Sequence, residues 1–218
     1  MAESDARTPR ERYRAQVRDE IKQHAWEQIA TAGASALSLN AIAKRMGVSG
    51  PALYRYYANR DELITELVRD AYRSLADTFR ERGGAGADLA GLAHALRGWA
   101  LDDPQRYLLV YGTPVPGYHA PEDTTRIAGE IMAVLLDACA ACAAAAPSVA
   151  ATALDDHLGD HRDWAGDHPA PSSVLRHALT VWTRLHGVLS LELAGHFAGM
   201  GFDPARLYAA EVDALTGR

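Results

Sequence analysis

The sequence predicts an all-α chain: an N-terminal three-helix, helix-turn-helix DNA-binding domain, then a helical ligand-binding and dimerisation domain. Three observations carry that expectation. Apolar residues recur at spacings of three and four through most of the 218 residues. No stretch alternates with the period of two that a half-buried strand needs. The charge is also unevenly divided. Residues 1–60 hold ten Lys/Arg against six Asp/Glu, a net of +4, which leaves −10 for the remainder of a chain at −6. A basic head on an acidic body is the footprint of one module that meets phosphate and another that does not.

The elements follow in order. Val17, Ile21, Ala25 and Ile29 form one helical stripe in residues 11–32, and Gly33 stops it. Ser38 caps a short helix carrying Leu39, Ile42, Ala43 and Met46, and Gly47 closes that helix in a tight turn. Ser49 opens a third segment with Pro51 in its first turn, where a missing N–H costs nothing. Ile42, Met46, Val48 and Leu53 are expected to hold the two short helices together. Asn59 precedes Asp61 and Glu62, acids that suit a helix start, and Leu63, Leu67, Ala71, Leu75 and Phe79 run on to about Arg82. Gly83, Gly84 and Gly86 then mark the expected domain boundary. The expected division is 1–60 for DNA binding, 60–82 as a linking helix, and 83–218 for effector binding and dimerisation.

The second part reads as helices over 87–101, from Pro104, over 123–146, over 173–198, and from Asp203-Pro204 to about Leu215. Residues 113–121 hold three prolines and a glycine and read as a loop, and 147–171 as a long irregular connection.

Composition narrows the function. The N-terminus lacks the apolar core of a signal peptide, and no run of about 18 consecutive apolar residues exists, so no membrane partner is expected. Two cysteines, Cys139 and Cys142, sit in an alanine-rich run; they form no disulfide scaffold, fit a reducing cytoplasm and read as small core residues. There is no Gly-rich phosphate loop, no nucleophile elbow and no Glu-x-x-His pair, so neither an enzyme nor a cofactor is expected.

The specific chemistry lies in residues 38–60. Two short helices joined by a Gly-containing turn make a helix-turn-helix. A recognition helix entering the major groove needs small residues in front and polar or aromatic groups that reach phosphate. Ser49, Pro51 and Ala52 supply the front; Tyr54, Arg55 and Tyr56 follow; Ser38, Lys44 and Arg60 flank. Arg55 has the reach for a guanine edge, with pairing to phosphate as the alternative. The run from Leu39 to Leu63, with Gly47-Val48-Ser49, the small pair Pro51-Ala52, Leu53-Tyr54 and Arg60-Asp61-Glu62-Leu63, resembles the signature of the TetR family of repressors. Tyr56 stands where that family often has His, and Arg60 where it often has Lys. Residues 181–187, with Trp182, His186 and Gly187, are similar to a C-terminal subgroup named for its Trp-His-Gly element. The resemblance implies a homodimeric repressor on double-stranded operator DNA, released by a small-molecule effector.

Two further groups belong to the body. Trp99, Tyr107, Tyr111, Trp182 and His186 lie on apolar helix faces and supply apolar walls with a few polar groups, the chemistry of a pocket for a small apolar effector. Residues 188–197 carry more apolar surface than one core-facing stripe uses, and Val188, Leu191, Leu193, Ala194 and Gly195 are the expected dimer contacts. Gly187 inside a helical run suggests close helix approach. The alternative function is a metal-responsive regulator built on the Asp/His-rich segment 155–168, where His157 and His161 stand four apart.

Overall fold

The computed structural model describes residues 8–113, 115, 117, 118, 121–144 and 150–217. Residues 1–7, Pro114, Pro116, His119 and Ala120 of the expected loop, and the end of the alanine-rich helix at 145–146 lie outside the described residues. By their contacts the residues form two compact units, 1–68 with 114–120, and 69–113 with 121–218. The described residues are helical, with no strand among them.

The first unit begins with α1 (Pro9–Ala32). Thr8 caps it: the Glu11 N–H donates to Thr8 Oγ1 at 3.3 Å and the Thr8 N–H to the Glu11 carboxylate at 2.7 Å. Ile21, Ala25 and Ile29 are buried, and the helix stops at Gly33. α2 (Leu39–Arg45) is capped by Ser38, whose hydroxyl accepts from Ala41 N at 3.3 Å. Gly47 (φ +68°) reverses the chain where a Cβ would be strained. α3 (Gly50–Leu53) follows, and α4 (Arg60–Gly84) starts on an Asn59 cap that accepts from Glu62 N at 2.8 Å. Ile42, Leu53 and Tyr57 are fully enclosed between these helices. Val48 is 42% exposed, so it does not join that contact as its apolar character suggested. Its N–H instead closes the turn on the Ala43 carbonyl at 3.0 Å, which points the side chain outward.

An ion-pair cluster ties α1 to the start of α4. Arg18 pairs with Glu66, its Nη1 donates to the Tyr56 carbonyl at 3.3 Å, and its guanidinium lies 4.5 Å over the Tyr57 ring. Lys22 approaches the other Glu66 oxygen at 3.6 Å. Burial opposes the Glu66 charge, but Arg18, through hydrogen bonds and charge, and Lys22 outweigh it and hold the carboxyl below its usual range.

The second unit holds the rest of α4, α5 (Leu89–Asp102), α6 (Pro104–Tyr111), α7 (Glu122–Ala144), α8 (Ala153–Asp160), α9 (Ser172–Leu193) and α10 (Pro204–Thr216). Asp88, Asp103 and Asp203 cap α5, α6 and α10 by accepting from main-chain N–H groups. The core runs from Leu75 and Phe79 through Leu92, Leu96, Ile131 and Leu135 to Val181, Leu185 and Val212. Fully buried Tyr208 donates to the Ala93 carbonyl at 2.7 Å; Arg97 lies 5.3 Å over its ring and binds Glu192 with two hydrogen bonds, joining α5, α9 and α10. α7 is long and apolar enough to cross a membrane by length and composition. Here Ile127, Ile131, Leu135, Leu136 and Cys139 of α7 pack into the core, and its Glu130 takes ion pairs from Arg73, Arg80 and Arg126.

Two boundaries differ from expectation. Residues 153–160 are helical because Thr152 and Asp155 form a capping box, with Asp155 also held by Arg176 Nε at 2.8 Å. α9 ends at Leu193 rather than 198, because Gly195, Gly199 and Gly201 adopt positive φ (79°, 80° and 76°) in a run of turns.

Glu66→Ala is expected to lower stability by about 2 kcal/mol, as loss of a partly buried charged hydrogen-bond pair does. Because the folded pKa of Glu66 is depressed, its contribution is present at neutral pH and lost as pH falls below the ordinary 4.5 toward the folded value. Urea unfolding of the Glu66→Gln variant therefore shows a shallower acid dependence than wild type; identical curves would contradict the role given to this pair.

Candidate functional site

The helix-turn-helix presents its expected residues unequally. Tyr54 is 44% exposed, and Lys44, Ser49, Pro51 and Arg55 are exposed as well. The side chains of Lys44, Tyr54 and Arg55 make no hydrogen bond or ion pair among the described residues, so their polar groups are uncommitted. Ser49 stands at the N-cap of α3 without spending its side chain on the helix. Ser38 is committed to its own helix and is locked by Gln28, which accepts from its N–H at 2.9 Å and donates to its carbonyl at 3.4 Å. Ala52 is half-buried, and Tyr56 is half-buried with Arg14 5.9 Å from its ring centroid. Arg60 turns partly inward: it donates to the Ala34 carbonyl at 3.2 Å while its Nε is enclosed without a partner. It fastens the start of α4 to the turn after α1.

In the second unit the five aromatic candidates converge. Tyr107 is fully buried on α6, and its hydroxyl meets His186 Nδ1 and Ser190 Oγ, both at 2.9 Å, on α9. His186 packs 4.2 Å from the Trp182 ring centroid and 4.3 Å from that of Tyr111. Trp99 stands beside Tyr107 at 6.4 Å and donates its indole N–H to Ser74 Oγ at 3.1 Å. Tyr72, which the apolar stripe of α4 did not single out, meets Tyr111 edge-on at 6.0 Å. Two polar atoms of this group, His186 Nε2 and the Tyr111 hydroxyl, are buried without a hydrogen-bond partner among the described residues. Burial lowers the His186 pKa to about 4, so the ring is neutral at pH 7, and it raises the Tyr111 phenol well above its usual value. A neutral imidazole and a phenol, each with a free polar atom in an aromatic wall, can orient an uncharged hydrogen-bonding group.

A separate cleft of about 700 Å³ opens elsewhere in the same unit, between the last turn of α4, the start of α5, the second half of α7 and the end of α10. None of the five aromatic candidates lines it.

The expected dimer residues divide. Val188 and Leu193 pack against the chain's own core, whereas Leu191 is 45% exposed and Ala194 and Gly195 are exposed. Gly187 is also exposed, and a Cβ there would meet nothing within 4 Å, so no described helix approaches it closely as its position suggested. Gly187 and Leu191 share the outward face of α9, and Ala194 caps its end.

The geometry gives the metal alternative no support. Among the described residues no group of three or more His, Cys, Asp or Glu is placed to hold an ion. His157 and His161 stack at 4.2 Å, with His161 Nδ1 on the His157 carbonyl at 3.0 Å. Asp155 is taken by Arg176 and Thr152, and His168 Nε2 meets Asp137 at 3.1 Å. Both cysteines are free; Cys139 is buried, which pushes its thiol up to about 12.

Comparison with known proteins supplies the context. Residues 21–67 match the family model described as bacterial regulatory proteins, tetR family, and residues 89–215 match that of the tetracyclin repressor-like C-terminal domain. The chain is 37% identical over 215 residues, covering 93% of itself and 92% of each relative, to the HTH-type transcriptional regulators Rv1816 of Mycobacterium tuberculosis and Mb1846 of Mycobacterium bovis. The crystal structure of the regulatory protein SCO4313 is 70% identical, with a TM-score of 0.89 over 97% of this chain and 100% of that one. A protein from Rhodococcus sp. RHA1 shares the fold at 21% identity, with a TM-score of 0.67 over 99% of this chain and 98% of that one.

The buried imidazole has a pH consequence. Its pKa is near 4 in the folded chain against 6.5 ordinarily, so the unfolded chain takes up the proton first as pH falls. The stability linked to His186 is full above about pH 6.5 and declines down to about pH 4, by up to about 3 kcal/mol. His186→Gln is expected to remove that decline, read as thermal midpoints from pH 7.5 to 4.5. A variant that follows the wild-type profile would show that His186 is not enclosed.

Proposed function

The chain belongs to the TetR family of bacterial transcriptional regulators, and we propose that it is a dimeric repressor that leaves a palindromic operator when a small apolar effector enters its second unit. The observation that carries this reading is the convergence of Trp99, Tyr107, Tyr111 and Trp182 around His186, with His186 Nε2 and the Tyr111 hydroxyl buried and unpartnered. Buried polar groups are ordinarily satisfied, and those that are not ask for a partner the described residues do not supply. An apolar effector carrying one hydroxyl, carbonyl or amide group would supply it. Trp182, His186 and Gly187 also support placing the chain in the Trp-His-Gly subgroup.

In this reading residues 1–60 bind DNA, 60–82 link, and 83–218 bind the effector and dimerise. Lys44, Tyr54 and Arg55 reach the DNA with their uncommitted polar groups, and Ser49 offers a free hydroxyl at the front of α3. Pro51 and Ala52 let the backbone approach the groove. Ser38, Tyr56 and Arg60 hold the surface in shape. The dimer is supported by the outward face and the end of α9, where Gly187 and Ala194 permit close approach and Leu191 supplies apolar area. α4 is continuous from Arg60 to Gly84, so a shift at Tyr72, which meets Tyr111, has one helix to act through. Release requires only that the effector bind the DNA-free shape better.

The test is operator binding by fluorescence anisotropy across salt concentrations. Lys44→Ala and Tyr54→Phe are expected to weaken binding to every sequence, and Lys44→Ala to reduce the salt slope by about one. Leu191→Glu is expected to yield monomers that bind a half-site weakly. Trp182→Ala and His186→Ala should keep operator binding and blunt release by hydrophobic ligands found in a thermal-shift panel. Tight binding by the Lys44→Ala/Tyr54→Phe double variant, or an unchanged ligand response in both pocket variants, would overturn the respective assignment.

A further inference from the structure

The front of α3 is poor in groups that can read a base. Gly50, Pro51 and Ala52 carry no hydrogen-bonding side chain, which leaves Ser49, Tyr54 and Arg55 around them. The neighbouring helix supplies what they lack. Asn40, the second residue of α2, is exposed, and its side-chain amide makes no hydrogen bond among the described residues. It shares one face of α2 with Lys44, four residues on, whose side chain is likewise exposed and uncommitted. The amide is set against α3: a Cβ at Gly50, the first residue of that helix, would sit 3.2 Å from Asn40 Oδ1. Gly50 is not among the glycines with positive φ, so the backbone there does not call for glycine. What its missing side chain leaves free is the place beside which the amide stands. Ser49 and Pro51, on either side of Gly50, are both exposed. Asn40 has a short side chain, so whatever its amide binds must come up to the front of α3.

Resting on the reading of residues 38–60 as the operator-binding surface, we propose that Asn40 is a base-reading residue that selects adenine in the major groove, in place of the side chain that residue 50 lacks. A carboxamide offers a donor and an acceptor side by side. Adenine presents the complementary pair in the major groove, an N7 acceptor beside an N6 amino donor. Guanine presents two acceptors there, cytosine one donor, and thymine an acceptor and a methyl group. Phosphate oxygens only accept, so a phosphate contact leaves the amide oxygen unpaired in the interface. Lys44, on the same face, carries charge and no acceptor, and suits phosphate. One face of α2 thus divides the work: Lys44 positions the unit, and Asn40 specifies a base.

The experiment selects duplexes from a random library with the full chain, as wild type and as Asn40→Ala. Alanine at this exposed helical position favours the helix, so the variant folds, and circular dichroism checks it. Wild type is expected to enrich sites with a fixed adenine at one position of each half-site, and Asn40→Ala to lose about tenfold of the discrimination there and nowhere else. The selected duplex is then made with 7-deazaadenine at that position, which keeps base pairing and removes the N7 acceptor. Anisotropy titrations should show wild type weakened about tenfold by this change and Asn40→Ala unaffected. Lys44→Ala should weaken binding to every sequence and keep the adenine preference. An Asn40→Ala profile equal to that of wild type, a loss spread evenly over all sequences as a phosphate contact gives, or equal sensitivity of both proteins to 7-deazaadenine would overturn the assignment of Asn40 alone. A wild-type chain that enriches no sequence would overturn the operator reading, and this inference with it.

Discussion

The Tyr107 hydroxyl is buried in an apolar core and has to be satisfied there. Transfer of an unbonded hydroxyl into such surroundings costs a few kcal/mol, so its partners on α9, His186 Nδ1 and Ser190 Oγ, are obligatory rather than incidental. That pair of contacts fixes the register of α6 against α9. It also fixes the imidazole, because a ring held at Nδ1 must point Nε2 the other way, into the wall formed by Trp182 and Tyr111. The stacking on Tyr107 and the direction of Nε2 follow from one buried tyrosine, while the low pKa follows from the burial of the ring itself. The neighbouring aromatic Trp99 is held by different means, through its indole N–H on Ser74 and the Arg106 guanidinium 4.6 Å over its ring.

The first unit spends its basic residues in two ways, and the division bears on DNA binding. Arg18, Lys22, Arg45 and Arg60 pair with carboxylates or carbonyls and hold the unit together. Lys44 and Arg55 keep their charge uncommitted and exposed. A count of charge over residues 1–60 treats these alike. Only the second group can exchange water and counterions for phosphate without breaking an internal contact.

Much of this was legible in the sequence, for reasons that mark where legibility ends. The helix-turn-helix was legible because Ser38, Gly47, Ser49 and Pro51 act locally, through caps and turns that depend on neighbours a few residues away. The aromatic cluster was legible as candidates, since Tyr107 and Tyr111 are four apart, as are Trp182 and His186, and each pair shares a face. Their meeting across α6 and α9 depended on tertiary register. The helix at 153–160 was missed although Thr152 and Asp155 carry a capping-box signal, because a cluster of Asp, His and Gly reads as loop by composition. Val48 was misplaced for the opposite reason: its apolar character spoke for burial, while the turn at Gly47 decided which way it points. The cleft between α4, α5, α7 and α10 was invisible, since segments distant in sequence build it and the small residues lining it carry no motif.

The proposed effector response has a physical basis in the unpartnered atoms of the aromatic cluster. Each buried polar group without a partner costs about 1–3 kcal/mol. A molecule that supplies even one missing hydrogen bond, and adds apolar contact with Trp182 and Tyr111, recovers part of that cost on binding. The gain changes operator affinity only where it differs between the DNA-bound and DNA-free shapes. A difference of about 1.4 kcal/mol, within the range of one such hydrogen bond, is a tenfold change in occupancy ratio. Under the proposed function, the cluster therefore need not rearrange extensively to regulate. It has only to offer its unsatisfied atoms slightly better in one shape than in the other, and Tyr111, which touches Tyr72 of α4 on one side and His186 on the other, is placed where such a difference would arise.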